Sequence, residues 1–500
     1  MRSIIVVLLL IYSSLSLAEE ADQAYYCDIN AIQTKDFSED MLGYEQSDYE
    51  RVFPEWFSKA KAGDKKYQFY VAKAYYFGQG VSQNNQKSLD WFSKSAEQGY
   101  PIAKNNLAVI YSEGRLVEYD PEKAFQLFCE ASKDGFIIST RGIAFFYAQI
   151  LQDFDKTILW LTKAAEQGDS ESQYYLGRAY LEGDGPIAID YKLALYWLSK
   201  AAKQGNAAAQ INLGWMYDQG LGVTEDDSVA VSWYIKSAEQ GDVDGQYNLG
   251  VMYAKGKGVA QDYKKALIYT SQSAEQGHSD AQYNLGLMYA HGQGVPQDNK
   301  LAVSWYKKSA EQGNSLAQYN LAIMYFNGQG VPQDKKLAVD WYTKAAEQGH
   351  SDAQNNLGWI YQYGQGVPQD NKLAVSWYIK AAEQENDKAQ GNLGWMYQNG
   401  YGVTKNLKKA FEFYEKSANQ GYADAQNNLG WMYYHGEGVT QDYKLALSWY
   451  KKAADQGIAE AQYNLGVLYA KDEFILKNDK LAISWYTKAA DQGYSDAKFN

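Results

Sequence analysis

The stretch "NLGWMYQNGYGVTKNLKKAFEFYEKSANQGYADAQ" runs from Asn392 to Gln426, and at Asn427 the chain restarts the same phrase as "NNLGWMYYHGEGV". The second passage marks a period. Measured on the glycine that follows Ala-Glu-Gln, the mark falls at Gly205, Gly241, Gly277, Gly313 and Gly349. It passes through Glu385 and continues at Gly421, Gly457 and Gly493, with 36 residues per step. Upstream it appears at Gly63, Gly99, Gly135 and Gly168, which makes twelve units over 64–493, one shortened (136–168) and one lengthened by a residue (169–205). A fixed period of this size is the signature of a solenoid, an array in which no unit covers its own apolar stripe and neighbours cover one another. Five hundred residues therefore form one repeat array in place of several independent domains.

Each unit reads as two helices. From Asp242 to Gly277, the residues Gly245, Leu249, Met252 and Tyr253 recur at helical spacing in a first helix. "KGKGVAQD" is a loop, and Tyr263 to Gln276 forms a second helix. All twelve units place Asp or Asn four residues before the small residue of the second helix: Asn84, Asp120, Asp153, Asp190, Asp226, Asp262, Asp298, Asp334, Asp370, Asn406, Asp442 and Asn478. Such residues cap a helix start through a side-chain oxygen, so part of the chain's acidity is structural. An aromatic stands at one position of the second helix in eleven units, as in Trp305, Trp341 and Trp377, with Leu127 as the exception; at that spacing the column reads as core. The ruler glycine ends the second helix in the left-handed conformation, and Glu385 at that place is expected to be strained.

The repeated pattern Ala-Gln-x-Asn-Leu-Gly-x-Met-Tyr-x-x-Gly-x-Gly-Val, followed by a capping Asp, Lys-Ala, Trp-Tyr and Lys-Ala-Ala-Glu-Gln-Gly, resembles the Sel1-like repeat, a relative of the tetratricopeptide repeat. The resemblance covers about 64–493. It implies an all-α, right-handed α/α superhelical solenoid of about twelve 36-residue helix-turn-helix repeats, serving as a non-enzymatic scaffold or adaptor for protein complexes. It departs from the pattern in the second unit, whose loop loses its second Gly, in the third, which lacks the loop glycines, and at "AKDEFILKND" in the twelfth.

The ends are different. "MRSIIVVLLLIYSSLSLAEE" has a basic Arg2, an apolar run from Ile4 to Ile11 and a small-residue exit at Ala18, the form of a secretory signal, 1–18. An arm follows over 19–48. A half-repeat over 49–63 caps the array with Trp56 and Phe57, and 494–500 opens a further repeat that stops at Asn500. The expected location is periplasmic or secreted, with no membrane insertion, and the absence of any Asn-x-Ser/Thr sequon points to a bacterial exporter. The only cysteines, Cys27 and Cys129, either close a disulfide or stand as two thiols; Cys129 falls where other units carry Lys307, Ile235 or Thr343 on the helix's outer side.

Catalytic patterns are weak. Ser-x-x-Lys occurs at Ser304 with Lys307 and at Ser448 with Lys451, without the partner motifs of penicillin-recognising enzymes. His278, His291, His350 and His435 are spread over repeats too far apart to share a metal, and the Gly-x-Gly-Val loops lack the Lys-Ser/Thr of a phosphate cradle. No cofactor or metal is expected. Cysteine-rich relatives are associated with cell-wall or β-lactam hydrolysis, the alternative reading, but they carry a Cys pair in most repeats. A net charge of −13 argues against binding nucleic acid through its phosphates, which takes a basic face.

The expected partners are proteins or peptides. Residues two before and two after the core Leu of the first helix form two columns, which by resemblance to tetratricopeptide arrays line a concave face. One column is Tyr247, Tyr283, Tyr319, Asn355, Gly391, Asn427 and Tyr463; the other is Val251, Leu287, Ile323, Trp359, Trp395, Trp431 and Val467. The aromatic and aliphatic residues would anchor a peptide while Asn355 and Asn427 bond its backbone. The competing reading is that neighbouring first helices bury these side chains against each other.

Overall fold

A computed structural model of the 500-residue chain describes residues 27, 46–183, 187–471 and 477–498. The secretory signal, nearly all of the N-terminal arm, the core of the altered loop in the twelfth repeat and the last two residues lie outside the described residues. The described residues contain twenty-five α-helices and no strand, an all-α solenoid of paired helices. None of these helices is long and apolar enough to cross a membrane. The chain divides into two compact units, Met1–Gly245 with Lys257–Ala260, and Gln246–Gly256 with Gln261–Asn500.

The tenth repeat shows what each letter of the opening phrase does. Its first helix is Asp387–Asn399 and its second Leu407–Asn419. Leu393 and Met396 are buried in the core. Gly394 sits against the ring of Tyr414, the largest fully buried side chain of that repeat: a Cβ there would lie 2.8 Å from Tyr414 Cδ1, so the missing side chain sets how closely the two helices approach. The Tyr397 carbonyl accepts from the Asn406 N–H at 2.9 Å, and the Asn406 side chain caps the second helix by accepting from the Lys409 N–H. Gly400 ends the first helix in the left-handed region. Gly402 lies where a Cβ would run into the Asn371 carbonyl of the preceding repeat, which is why the loop needs its second glycine.

All twelve Asp or Asn residues read as caps accept from backbone N–H groups at the starts of their second helices. The tryptophan column needs correcting. Trp160, Trp197, Trp341 and Trp377 are buried, whereas Trp91, Trp233, Trp305, Trp449 and Trp485 are only half-buried. The residue after the column aromatic goes deepest: Tyr378 and Tyr450, after tryptophans, and Tyr414, after Phe413, are the largest fully buried side chains among the described residues. The half-buried tryptophans cover the helix flank, and in both groups a lysine three residues on is held over the ring, as for Lys308 on half-buried Trp305 at 3.8 Å and Lys380 on buried Trp377 at 4.1 Å.

Glutamines join the repeats. Gln354, buried in the first helix of the ninth repeat, donates from Nε2 to the Ala346 carbonyl of the preceding second helix at 2.9 Å. Its Oε1 accepts from Gln384 at the end of its own second helix at 2.8 Å. The same Gln–Gln bond, 2.7 to 2.9 Å long, recurs from Gln312 to Gln282, Gln348 to Gln318, Gln420 to Gln390, Gln456 to Gln426 and Gln492 to Gln462.

At the N-terminus the helix Gln46–Lys61 carries Pro54 in its interior and buries Trp56 against Tyr70, with Phe57 beside Trp91. Cys27 and Cys129 are joined by a disulfide, and Cys129 is buried under that contact instead of facing outward. In the shortened third repeat a π-helical turn, Tyr147–Leu151, replaces the glycine loop and ends at Gln152 with φ 54°.

Glu385 holds φ 62°, and the ruler glycines on either side, Gly349 and Gly421, have no atom within reach of an added Cβ, so the cost at Glu385 is backbone strain alone. Glu385→Gly should raise stability by about 1 kcal/mol, read as an increase in Tm; an unchanged or lower Tm refutes the strain. Gln354→Ala removes both inter-helix bonds, the one to the Ala346 carbonyl, which keeps the Gly349 N–H, and the one from the exposed Gln384 amide, which keeps the Lys380 carbonyl, and should cost about 1–3 kcal/mol for the pair. Hydrogen exchange should show the lost protection confined to the eighth to tenth repeats.

Candidate functional site

The two columns on the first helices do different things. The column two residues before the core leucine forms joints between successive first helices. The Tyr247 ring stacks on His278 and the Tyr319 ring on His350, each pair with centroids 4.5 Å apart. The Tyr283 hydroxyl accepts from Asn320 at 3.4 Å. Asn355 Oδ1 accepts from Asn392 Nδ2 at 3.0 Å, and Asn427 Oδ1 from Asn464 Nδ2 at 3.2 Å. At Gly391 the Tyr422 ring takes the space, 3.0 Å from where a Cβ would stand.

Asn355 is 7 % exposed and Asn427 3 %. The expectation that these two amides face a peptide is therefore corrected. The amide of the next repeat reaches each of them first, because the first helices stand close enough for a side-chain crossbar. For this column the competing reading, burial between neighbouring first helices, describes the asparagines.

The other column stays partly open. Val251, Leu287 and Ile323 are half-buried, with Leu287 and Ile323 packed on the core of the seventh to ninth repeats. Trp359 is 41 % exposed, and Trp395 and Trp431 are half-buried. Each tryptophan has aromatic company. Trp359 lies 6.1 Å from Phe326 and 5.3 Å from Tyr363, Trp395 stacks on Tyr401 at 5.1 Å, and Trp431 meets His435 at 4.4 Å. Tyr363 and Tyr401 are exposed. Sequence reasoning missed Phe326, Tyr363, Tyr401 and His435. The signal was present for two of them, since Tyr363 and His435 stand four residues after Trp359 and Trp431, one helical turn on.

The eighth to eleventh repeats thus present clustered aromatic faces, a composition enriched at protein interfaces, in which rings supply large contact area at low entropic cost. Scattered exposed apolar residues need no explanation, but a cluster does. Ser304 and Lys307 lie on an exposed helix surface where Lys307 reaches toward Glu311 at 3.9 Å. Among the described residues no group of three or more His, Cys, Asp or Glu gathers into a metal-holding cluster.

Matches to the Sel1 repeat family cover residues 66–100, 101–136, 142–169, 170–206, 207–242, 243–278, 279–314, 315–350, 351–386, 387–422, 423–458 and 459–494. Among solved structures, the chain is similar to a protective antigen present in uropathogenic Escherichia coli strains, which displays an SLR fold. Identity is 37%, with 89% of this chain and 96% of that chain covered and a TM-score of 0.76. It is also similar to a Sel1 repeat protein from Oxalobacter formigenes at 34% identity, with 66% of this chain and 93% of that chain covered and a TM-score of 0.49.

The histidine joint carries a pH prediction. His350 accepts from the Ala353 N–H through Nδ1 at 3.3 Å, which requires the neutral ring, and burial lowers its pKa below the ordinary histidine value while Asp352 acts in the opposite sense. A histidine whose folded pKa is depressed contributes stability that is present above its unfolded pKa and lost as pH falls toward the folded one. Local stability of the eighth and ninth repeats should therefore fall as pH is lowered below the ordinary histidine range. Asn314 and Asn386 cap the equivalent helices, so His350→Asn should keep the cap and remove the pH response, as read by hydrogen exchange at two pH values.

Proposed function

The chain belongs to the Sel1 repeat family, whose members mediate protein–protein interaction, and from that premise we propose that it is a non-enzymatic scaffold of the bacterial envelope. Its partner is a polypeptide that lays apolar side chains on the aromatic faces of the eighth to eleventh repeats. The observation that carries this reading is the run of Trp359, Trp395 and Trp431 at one register, each beside further rings and none fully buried. Truncating such aromatic anchors costs the most in interfaces generally.

Export is supported by the basic, apolar and small-residue order of the first eighteen residues, and by the Cys27–Cys129 disulfide, a bond that persists in oxidising compartments. The relative described as a protective antigen fits a protein met outside the cytoplasm.

The test compares the mature protein with the double variant Trp359→Ala and Trp395→Ala in affinity capture from an envelope extract. Loss of the captured partner with an unchanged helical spectrum is expected, because Trp359 is partly exposed and its removal leaves little cavity. The single variant Trp377→Ala, which empties a buried site, controls for destabilisation. Capture that survives the double variant, or is lost only together with the helical signal, rejects the aromatic faces as the binding surface.

A further inference from the structure

Between the first helices of the second and third repeats, Pro101–Glu113 and Ile137–Phe146, lies a pocket of about 310 Å³. Three departures from the repeat pattern build it. Nine of the twelve repeats carry Asn directly before the core residue of the first helix, but the third carries Gly142. At Asn320, Asn392 and Asn464 that amide crosses to the preceding repeat; Gly142 sends nothing across, and Asn105 accepts from the Ser139 hydroxyl instead, at 2.9 Å. A Cβ built on Gly142 would lie 2.7 Å from the Phe128 ring, so Phe128 takes the space beside the backbone and forms a wall of the pocket. The π-helical turn that replaces the glycine loop carries Gln149 and Ile150 into the lining.

The chemistry of the lining is selective. Phe128, Ile138, Phe145 and Phe146 give apolar walls, and Val109 and Ile150 leave 38 % and 36 % of their surfaces in water. Both charged lining residues already have ionic partners within the fold. Arg141 Nη1 donates to both Asp169 oxygens at 2.9 Å, and Glu113 is paired with Arg115 at 2.8 Å. Asn105 and Gln149 add amide groups of the kind that match a peptide backbone.

We propose that this pocket receives one large, neutral, apolar side chain, aromatic or branched aliphatic, presented by a partner polypeptide. Its volume sits at about the lower end of the range of ligand sites, roughly 300–1,000 Å³, which suits a single side chain better than a whole ligand. Spent charges disfavour an ionic occupant, since an unpaired charge entering an apolar pocket is costly. Val109 and Phe145 occupy the register that Trp359 holds in the ninth repeat, so the proposal rests on the reading that this helix register meets polypeptides.

The test uses the full, disulfide-bonded chain and ligand-observed NMR, with N-acetyl-phenylalanine N-methylamide as the peptide-like probe and toluene as the apolar comparison. The amide probe should bind the native chain and bind more tightly than toluene. Val109→Trp installs the residue that the ninth to eleventh repeats carry at this register, so the fold should hold with an unchanged Tm while probe affinity falls about ten-fold, the equivalent of about 1.4 kcal/mol. Ile150→Glu, which brings a charge to a partly exposed position, should weaken the probe likewise. The double variant Trp359→Ala and Trp395→Ala should leave probe affinity unchanged, so that failure of the pocket and failure of the aromatic faces are read separately. No binding to the native chain, equal binding to Val109→Trp, or toluene binding as tightly as the amide would each overturn the proposal.

Discussion

A buried glutamine holds the array in register. In Gln282, Gln318, Gln354, Gln390, Gln426 and Gln462 the amide is almost wholly buried, and each spends its hydrogen on a carbonyl of the preceding second helix and its oxygen on a glutamine of its own. A buried amide is costly unless both ends are bonded, so each repeat pair has one relative placement in which the bonds close. Hydrophobic stripes alone are non-directional and would tolerate sliding. The polar link removes that freedom.

Where the glutamine is missing, other polar groups take over, and there the regular pattern breaks. The second repeat has Lys104 in its place, paired with Asp134 at 2.9 Å and Glu130 at 3.0 Å. The third has Thr140, whose hydroxyl meets Ser132 at 2.7 Å, and the neighbouring Arg141 reaches Asp169. Those two repeats also hold the disulfide, the π-helical turn and the pocket. The irregular repeats are therefore substitutions with their own internal bonding, and the cavity lies where the crossbar asparagine gives way to Gly142.

The same crossbars decide which surface the regular repeats offer. Once Asn392 and Asn464 reach back to Asn355 and Asn427, one column becomes interior and the exposed aromatic area falls to the tryptophan column and its neighbours. On the second helix, glycine contacts pull Tyr378, Tyr414 and Tyr450 inward, and the aromatic before each is less deeply placed: Trp377 at the core's edge and Trp449 half-buried, each under a lysine. Binding surface and core are thus set by the same close approach of helices.

By itself the sequence determined the period, the two helices per repeat, the twelve caps, the left-handed glycines and the strained Glu385. Each of these depends on a few consecutive residues: a cap reaches two or three positions along the chain, and a backbone angle belongs to one residue. The family resemblance rests on the same local phrase. Only the tertiary structure decided that Asn355 and Asn427 are joints, that tyrosine goes deeper than tryptophan, that glutamines 30 residues apart are bonded, and that a pocket lies beside Gly142. Those outcomes depend on how far each helix is rotated about its axis and how closely its neighbour approaches. A helical stripe broad enough to cover a core leaves its flanking positions ambiguous until the neighbouring helix is in place.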